Sequence, residues 1–348
     1  MRPRIQPIEE QWLEAARQRQ NRLTKPPGSL GRLEEVGVWL AAIQKTLKPR
    51  LDWGAVVVCA ADHGIAAEGV SAYPSEVTRQ MVHNFLVGGA AINQIAGVCQ
   101  AKVYVLDVGV RGELPEHERL ITAKRRLGSG NIALEPAMSR SEAEEALEAG
   151  RAAAQRAIRE GATILAAGDM GIGNTTAAAA LTAGLLGLEA EAVTGRGTGV
   201  DAAGYRRKLE AVRAALRRAQ RAMGDLAQAD PLDLLAQLGG LELAAIAGVL
   251  LAGAEAEVPL VSDGFPVMAG ALVASRLEPH LRGYLFAGHR SVEPGHTAQL
   301  EALGLRPLLE LELRLGEGTG AVLSFPLLRA AAATFSMATF DEAGVSEG

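Results

Sequence analysis

The chain reads as an α/β protein, with a doubly wound, mostly parallel, Rossmann-like sheet and a small helical domain built from both chain ends. Three observations predict this. Five apolar runs are continuous rather than alternating, the pattern of strands buried on both faces: residues 55–61, 102–108, 162–167, 258–262 and 283–287. Helical patterns separate them, for example over 75–96, 141–160 and 205–223, and such alternation builds a parallel sheet. The chain ends carry polar-faced helical patterns instead. These cover 8–24 and 29–47, split by Pro26-Pro27-Gly28, and 297–315 and 321–337, split by Gly316-Glu317-Gly318-Thr319-Gly320. The expected division is a large α/β domain over 48–296 and a small helical domain from 1–47 and 297–348.

Each apolar run is followed by polar groups. The first leads to Asp62-His63-Gly64 and the second to Asp107-Val108-Gly109. The third leads to Asp169 and a glycine loop, the fourth to Asp263-Gly264, and the fifth to His289-Arg290-Ser291 with Glu293. Ligands of open parallel sheets bind beyond the carboxyl ends of the strands, so five such endings together point to a site. One of them alone would read as a turn or a cap. Ser139 or Ser141 can cap the helix that begins near Glu142, and Asp201 can cap the one after the 195–199 turn. Three connections are long enough to hold further elements, and the residues from about Asp341 read as a frayed tail.

Composition excludes several classes. Apolar residues make up 48% of the 348, enough for a large core. A net charge of −5 carries no basic excess, which argues against nucleic acid as a partner. Arg213, Arg217 and Arg221 recur every four residues and read as the wet face of a helix. Cys59 and Cys99 sit in apolar contexts without a CxxC partner, as reduced core residues of a cytoplasmic protein do. The first residues show no apolar signal segment, and the longest uncharged apolar run, 243–254, is too short to span a bilayer.

The chemistry concentrates at residues 163–176. A strand-type run ends at Gly168, Gly171 and Gly173 follow, and Asn174-Thr175-Thr176 opens an Ala/Leu-rich helical run. A bare-backbone loop before a helix N-terminus binds anions through main-chain N–H groups and the helix dipole. The spacing Gly168-x4-Gly173 matches a Walker loop, but Asn174 stands where the lysine should be. That favours a monophosphate over a nucleoside triphosphate. The competing reading is a βα turn whose glycines serve tight packing only. Glu317, between glycines and before an apolar helical run, is the candidate general base. A glutamate in an apolar pocket has its pKa raised by desolvation toward the range a base needs. The competing reading is an acidic residue favoured near a helix start.

His63, His289 and His296, with Asp62 or Glu293, lack metal-ligand spacing and read as hydrogen-bonded histidines. No G-x-S-x-G elbow and no dinucleotide glycine fingerprint after the first strand are present. No metal and no cofactor are expected.

These motifs occur together in one family. The chain resembles the nicotinate-nucleotide–dimethylbenzimidazole phosphoribosyltransferases, from about Asn21 to about Phe340. The likeness rests on ordered blocks: Leu23 to Gly31, Ala61-Asp62-His63-Gly64 with Val70-Ser71 and Gln80-Met81-Val82, Gly168 to Thr176, Gly195-Arg196-Gly197-Thr198-Gly199, Ser262-Asp263-Gly264-Phe265, Gly288 to His296, and Gly316 to Gly320. The resemblance implies transfer of phosphoribose from nicotinate mononucleotide to 5,6-dimethylbenzimidazole, with inversion at the ribose C1. It implies Glu317 as general base, and phosphoribose bound by Gly171, Gly173, Asn174, Thr175, Lys208 and Asp263. It places the benzimidazole near Ala72, Tyr73, Gln80 and Met81. Asp169 stands where the family has glutamate, one methylene shorter, which leaves its catalytic part open. The resemblance also implies a homodimer.

Three rivals differ in class. A phosphoribosyl-pyrophosphate enzyme would show two adjacent acids after a strand and need Mg²⁺. A carrier would bind nucleotide or base without chemistry. A small-molecule kinase would need the missing lysine.

Overall fold

A computed structural model describes residues 5–346. Six strands form one sheet: β1 (Gly54–Ala61), β2 (Ala101–Gly109), β3 (Leu120–Thr122), β4 (Ile164–Met170), β5 (Leu260–Ser262) and β6 (Leu285–Ala287). Their order is β3-β2-β1-β4-β5-β6, and every neighbouring pair is parallel. β1 and β4 are buried almost throughout, which is why they read as unbroken apolar runs. The order reverses between β1 and β4. Their carboxyl ends therefore open onto the crevice where ligands of such sheets bind.

The five expected strands are present, and β3 is an addition. It is three residues long and half exposed, so no apolar run announces it. The expected helix over 75–96 is two, Glu76–Val87 and Ala91–Val98, because Gly88 takes a left-handed φ of 83° and ends the first. The expected helix over 297–315 is not formed. The Pro294–Leu303 helix stops at Gly304, φ 61°, and the segment after it runs extended beside the end of β6. Leu308 donates its N–H to Ala287, and Arg290 and Val292 donate theirs to Leu309 and Leu313. Leu and Glu alternate over residues 309–313, which suits an extended chain better than a helix.

Ser139 caps the Arg140–Arg159 helix through a capping box with Glu142, and Asp201 caps the Ala202–Met223 helix. The Leu241–Glu255 helix is buried nearly all round and packs on β4 and β1, and the Asn174–Leu186 helix, equally buried, packs among the helices beside it. The chain ends meet on the other side. The Arg32–Ile43 helix packs against Glu10–Asn21 and against Phe325–Ala333, and Gln20 donates to Thr334 Oγ1 at 2.8 Å. Leu40, Phe325 and Leu328 share one apolar cluster with Val56 and Val58 of β1, so the terminal helices are packed onto the sheet itself. Among the described residues no helix is long and apolar enough to cross a membrane.

Candidate active site

The loop after β4 is built by close packing. A methyl group at Gly171 would stand 2.4 Å from the Ala61 carbonyl, so only glycine lets the loop approach β1 this closely. Gly173, φ 98°, precedes the Asn174–Leu186 helix and lies against His63 and Ile65. Three loop N–H groups are satisfied internally: Ile172 by Thr78 Oγ1 at 3.0 Å, Asn174 by the Gly171 carbonyl and Thr176 by the Gly173 carbonyl. The Thr175 N–H has no acceptor among the described residues and is left at the helix N-terminus.

Asp169 ends β4 nearly buried. Asn174 Nδ2 donates to its Oδ2 at 2.8 Å, and Oδ1 has no hydrogen-bond partner among the described residues. Burial, reinforced by the neighbouring charges of Asp263, Glu242 and Glu317, pushes its carboxyl up to about 8. At neutral pH it holds a proton.

Glu317 has a left-handed backbone, φ 63°, between Gly316 at 88° and Gly318 at 87°. A non-glycine residue there costs about 1–3 kcal/mol and persists where its surroundings over-determine it. Here they do. The Glu317 N–H reaches the Asp169 carbonyl at 3.3 Å. Asp263, fully buried at the end of β5, accepts from the N–H groups of Gly318, Gly320 and Ala321 at 3.0, 2.8 and 3.1 Å. Glu317 Oε2 accepts from Ile92 N–H, in the first turn of the Ala91–Val98 helix, at 3.2 Å. Oε1 has no hydrogen-bond partner among the described residues. Burial raises the Glu317 pKa, the Ile92 bond opposes this, and the Asp263 charge adds to it.

A cleft beside this loop is lined by Asp169, Asn174, Thr175, Gly197, Thr198, Ser291, Glu293, Arg314 and Gly316, among others. Lys208 lies fully buried behind it and donates to Thr175 Oγ1 at 2.8 Å. Burial lowers its pKa to about 8, with Glu293 opposing. Glu293 Oε1 accepts from Gly197 N–H at 2.8 Å and so fixes the 195–199 turn over the lysine. Thr198 in turn ties down the 71–73 segment: its Oγ1 accepts from Ala72 N–H at 3.0 Å and meets Ser71 Oγ at 3.1 Å.

A family model described as phosphoribosyltransferase matches residues 5–345. The nicotinate-nucleotide–dimethylbenzimidazole phosphoribosyltransferase of Thermus thermophilus is 66% identical over 333 residues, 96% of this chain and 98% of that one. Its counterpart in Chloroflexus aggregans is 51% identical over 99% of this chain and 96% of its own. The crystal structure of CobT from Thermus thermophilus superposes with a TM-score of 0.93 at 65% identity, covering 97% of this chain and all of that one. The chain belongs to the phosphoribosyltransferase family.

In this phosphoribosyltransferase the structure gathers Asp169, Asn174, Thr175 and Lys208 at one cleft, with the Glu317 loop as one wall. Gly171 and Gly173 do not line it; they lie against β1 and the turn after it. Asp263 turns both carboxylate oxygens to the Glu317 loop rather than to the cleft. Ala72 stands at the rim, Tyr73 and Gln80 are exposed, and Met81 packs in the same apolar cluster as Met170.

His63 and His296 are buried in hydrogen bonds. His63 Nε2 lies 2.8 Å from Glu242 Oε1, and His296 Nδ1 accepts from Ser291 N–H at 2.9 Å. Burial lowers the His296 pKa to about 3, so it is neutral. No group of three or more His, Cys, Asp or Glu among the described residues is arranged to hold a metal ion. Two participants escaped the sequence reading. The Ile92 contribution is main-chain and leaves no residue signature. Glu242 could have been noticed as a lone acid opening the apolar run of the Leu241–Glu255 helix.

Proposed function

We propose that this phosphoribosyltransferase transfers phosphoribose from nicotinate mononucleotide to 5,6-dimethylbenzimidazole, releasing nicotinate and forming α-ribazole 5′-phosphate. One observation carries the reading. The helix N-terminus at Asn174–Thr175, the Asp169 carboxylate and Gly316, the residue before Glu317, line one cleft, and the Glu317 N–H reaches the Asp169 carbonyl. The ribosyl phosphate is held by the free Thr175 N–H, the Asn174 and Thr175 side chains and the buried Lys208 ammonium. The benzimidazole approaches from the Ala72, Tyr73, Gln80 and Met81 side, which Thr198 ties to the cleft.

Glu317 Oε1 takes the benzimidazole N–H proton, and the other ring nitrogen forms the new bond to the ribose C1. The C1–N bond of the pyridinium breaks, and its electron pair stays on nicotinate nitrogen. The leaving group begins as a cation, so the protein has to supply position, a phosphate anchor and a base. Asp169 acts here as a protonated neighbour rather than a second base. The two ends of the chain form the helical domain that carries Glu317, and the chain works as a homodimer in the cytoplasm. Incubation with both substrates and measurement of free nicotinate tests the reaction. Release that depends on the benzimidazole supports it, and no release with either base or nucleotide in excess overturns it.

A further inference from the structure

The Thr319–Leu323 helix begins without a local cap. Its N-cap residue is Gly318, which has no side chain and needs its φ of 87°. The N–H groups that a capping side chain would satisfy, those of the second and third helical residues, are Gly320 and Ala321. Both reach Asp263 Oδ1, and the Gly318 N–H reaches Oδ2. A buried carboxylate from the end of β5 thus caps a turn more than fifty residues away in sequence. All three bonds fall within the four residues that follow Glu317. Asp263 is fully buried and does not line the cleft.

We propose that Asp263 is a positioning residue for the transfer reaction: it holds the strained Glu317 backbone in the one conformation that aims the carboxylate at the incoming base. This rests on Glu317 being the general base. It differs from a ribose-binding role for Asp263, because the carboxylate is fully buried, does not line the cleft and already accepts three loop N–H groups.

The electrostatics give the proposal a signature. Asp263 raises the Glu317 pKa through its charge. The other groups near the pair are Asp169 from β4, protonated at neutral pH and itself facing Glu242 of the buried helix, and His289 from the end of β6. His289 Nδ1 lies 3.6 Å from Asp263 Oδ1. The Ala91–Val98 helix presents the Ile92 N–H and no charge to Glu317. Asparagine at 263 keeps the shape, turns an N–H₂ toward one loop N–H, and removes the charge. The loop loosens, and the Glu317 carboxylate ionises at lower pH.

The test is steady-state kinetics of Asp263→Asn beside Glu317→Gln. The expected result is a fall in kcat of at least ~10-fold, since displacement of a reacting group by about an ångström costs that much or more. KM for nicotinate mononucleotide stays within about threefold, as for loss of an interaction that serves the chemical step. The acid limb of the kcat profile moves to lower pH, and the readout that a general loss of structure would change is the KM for nicotinate mononucleotide, which is expected to hold. A raised KM with unchanged kcat would assign Asp263 to the ribose and overturn the proposal. So would unaltered kinetics while Glu317→Gln is inactive. If Glu317→Gln itself keeps full turnover, it is the base assignment that fails. Should Asp263→Asn not fold, Asp263→Ser, which keeps one acceptor for the helix N–H groups, makes the same test.

Discussion

Gly168 of β4 lies directly beneath the Glu317 carbonyl: a methyl group added at Gly168 would stand 2.5 Å from that oxygen and 2.8 Å from the Gly318 nitrogen. The central strand and the Glu317 loop are therefore in main-chain contact. The position of Glu317 is set by the sheet and does not depend on a flexible connection.

Substitution of Glu317 tests the chemistry most directly. Oε1 is without a hydrogen-bond partner among the described residues, and burial raises the carboxyl above its ordinary value, the direction a base needs. Glu317→Gln keeps the size and the bond from Ile92 but cannot take a proton. Its turnover should fall at least ~10²-fold, the lower end for a positioned base. KM for nicotinate mononucleotide should be nearly unchanged. Nicotinate release at saturating substrates measures this, and turnover within a few-fold of wild type would remove Glu317 from the mechanism.

Gly168→Ala tests the contact between strand and loop. The added methyl cannot be accommodated without moving main chain, which costs about 1–3 kcal/mol in a packed interior. A lowered Tm with kcat down ~10-fold or more is the expected outcome. A variant as active and as stable as wild type would mean that the loop is free to shift.

Much of this arrangement was legible in the residues. β1, β2 and β4 announce themselves because burial on both faces leaves no polar positions. The polar residues after the strands mark the sheet rim, and there Asp169 and Asn174 line one cleft with Gly316, the residue before Glu317. What the residues conceal is direction. Gly171 and Gly173 look like a phosphate cradle, yet the close approach they permit is to Ala61, His63 and Ile65. Asp263 looks like a ligand-facing acid at a strand end, yet it is spent on three main-chain N–H groups far away in sequence. Glycines and carboxylates serve packing and chemistry equally well, so residue type alone cannot say which neighbour they meet.

Asp169 provides a prediction of opposite sign to Glu317. Its folded pKa of about 8 lies above the ordinary carboxylate value of 3.8, with burial the main cause. The folded chain thus keeps a proton that the unfolded chain releases, and stability is lost as pH rises from about 4 to about 8. Asn at this position mimics the protonated form and can still accept from Asn174. Asp169→Asn should raise Tm relative to wild type by more at pH 8 than at pH 5, and at pH 7 it should stay within ~10-fold of wild-type turnover, since loss of a working base costs more than that. A collapse in turnover would make the ionised carboxylate part of the chemistry.

Lys208 carries the last prediction. It is buried behind Thr175, and burial lowers its pKa to about 8, so it is charged below that pH and neutral above it. A ribosyl phosphate is anchored by the charged form, so kcat/KM for nicotinate mononucleotide should fall as pH rises through about 8. Stability should move the other way. Between about 8 and the ordinary lysine value of 10.5 the unfolded chain binds the extra proton, and this group's contribution to stability rises with pH across that window. Asp169 titrates in the same range, so the kinetic profile is best measured in the Asp169→Asn background, which removes that overlap. In that background Lys208→Met should raise KM at pH 7 and abolish the alkaline limb. A limb that survives Lys208→Met, with KM unmoved, would place the phosphate elsewhere in the cleft.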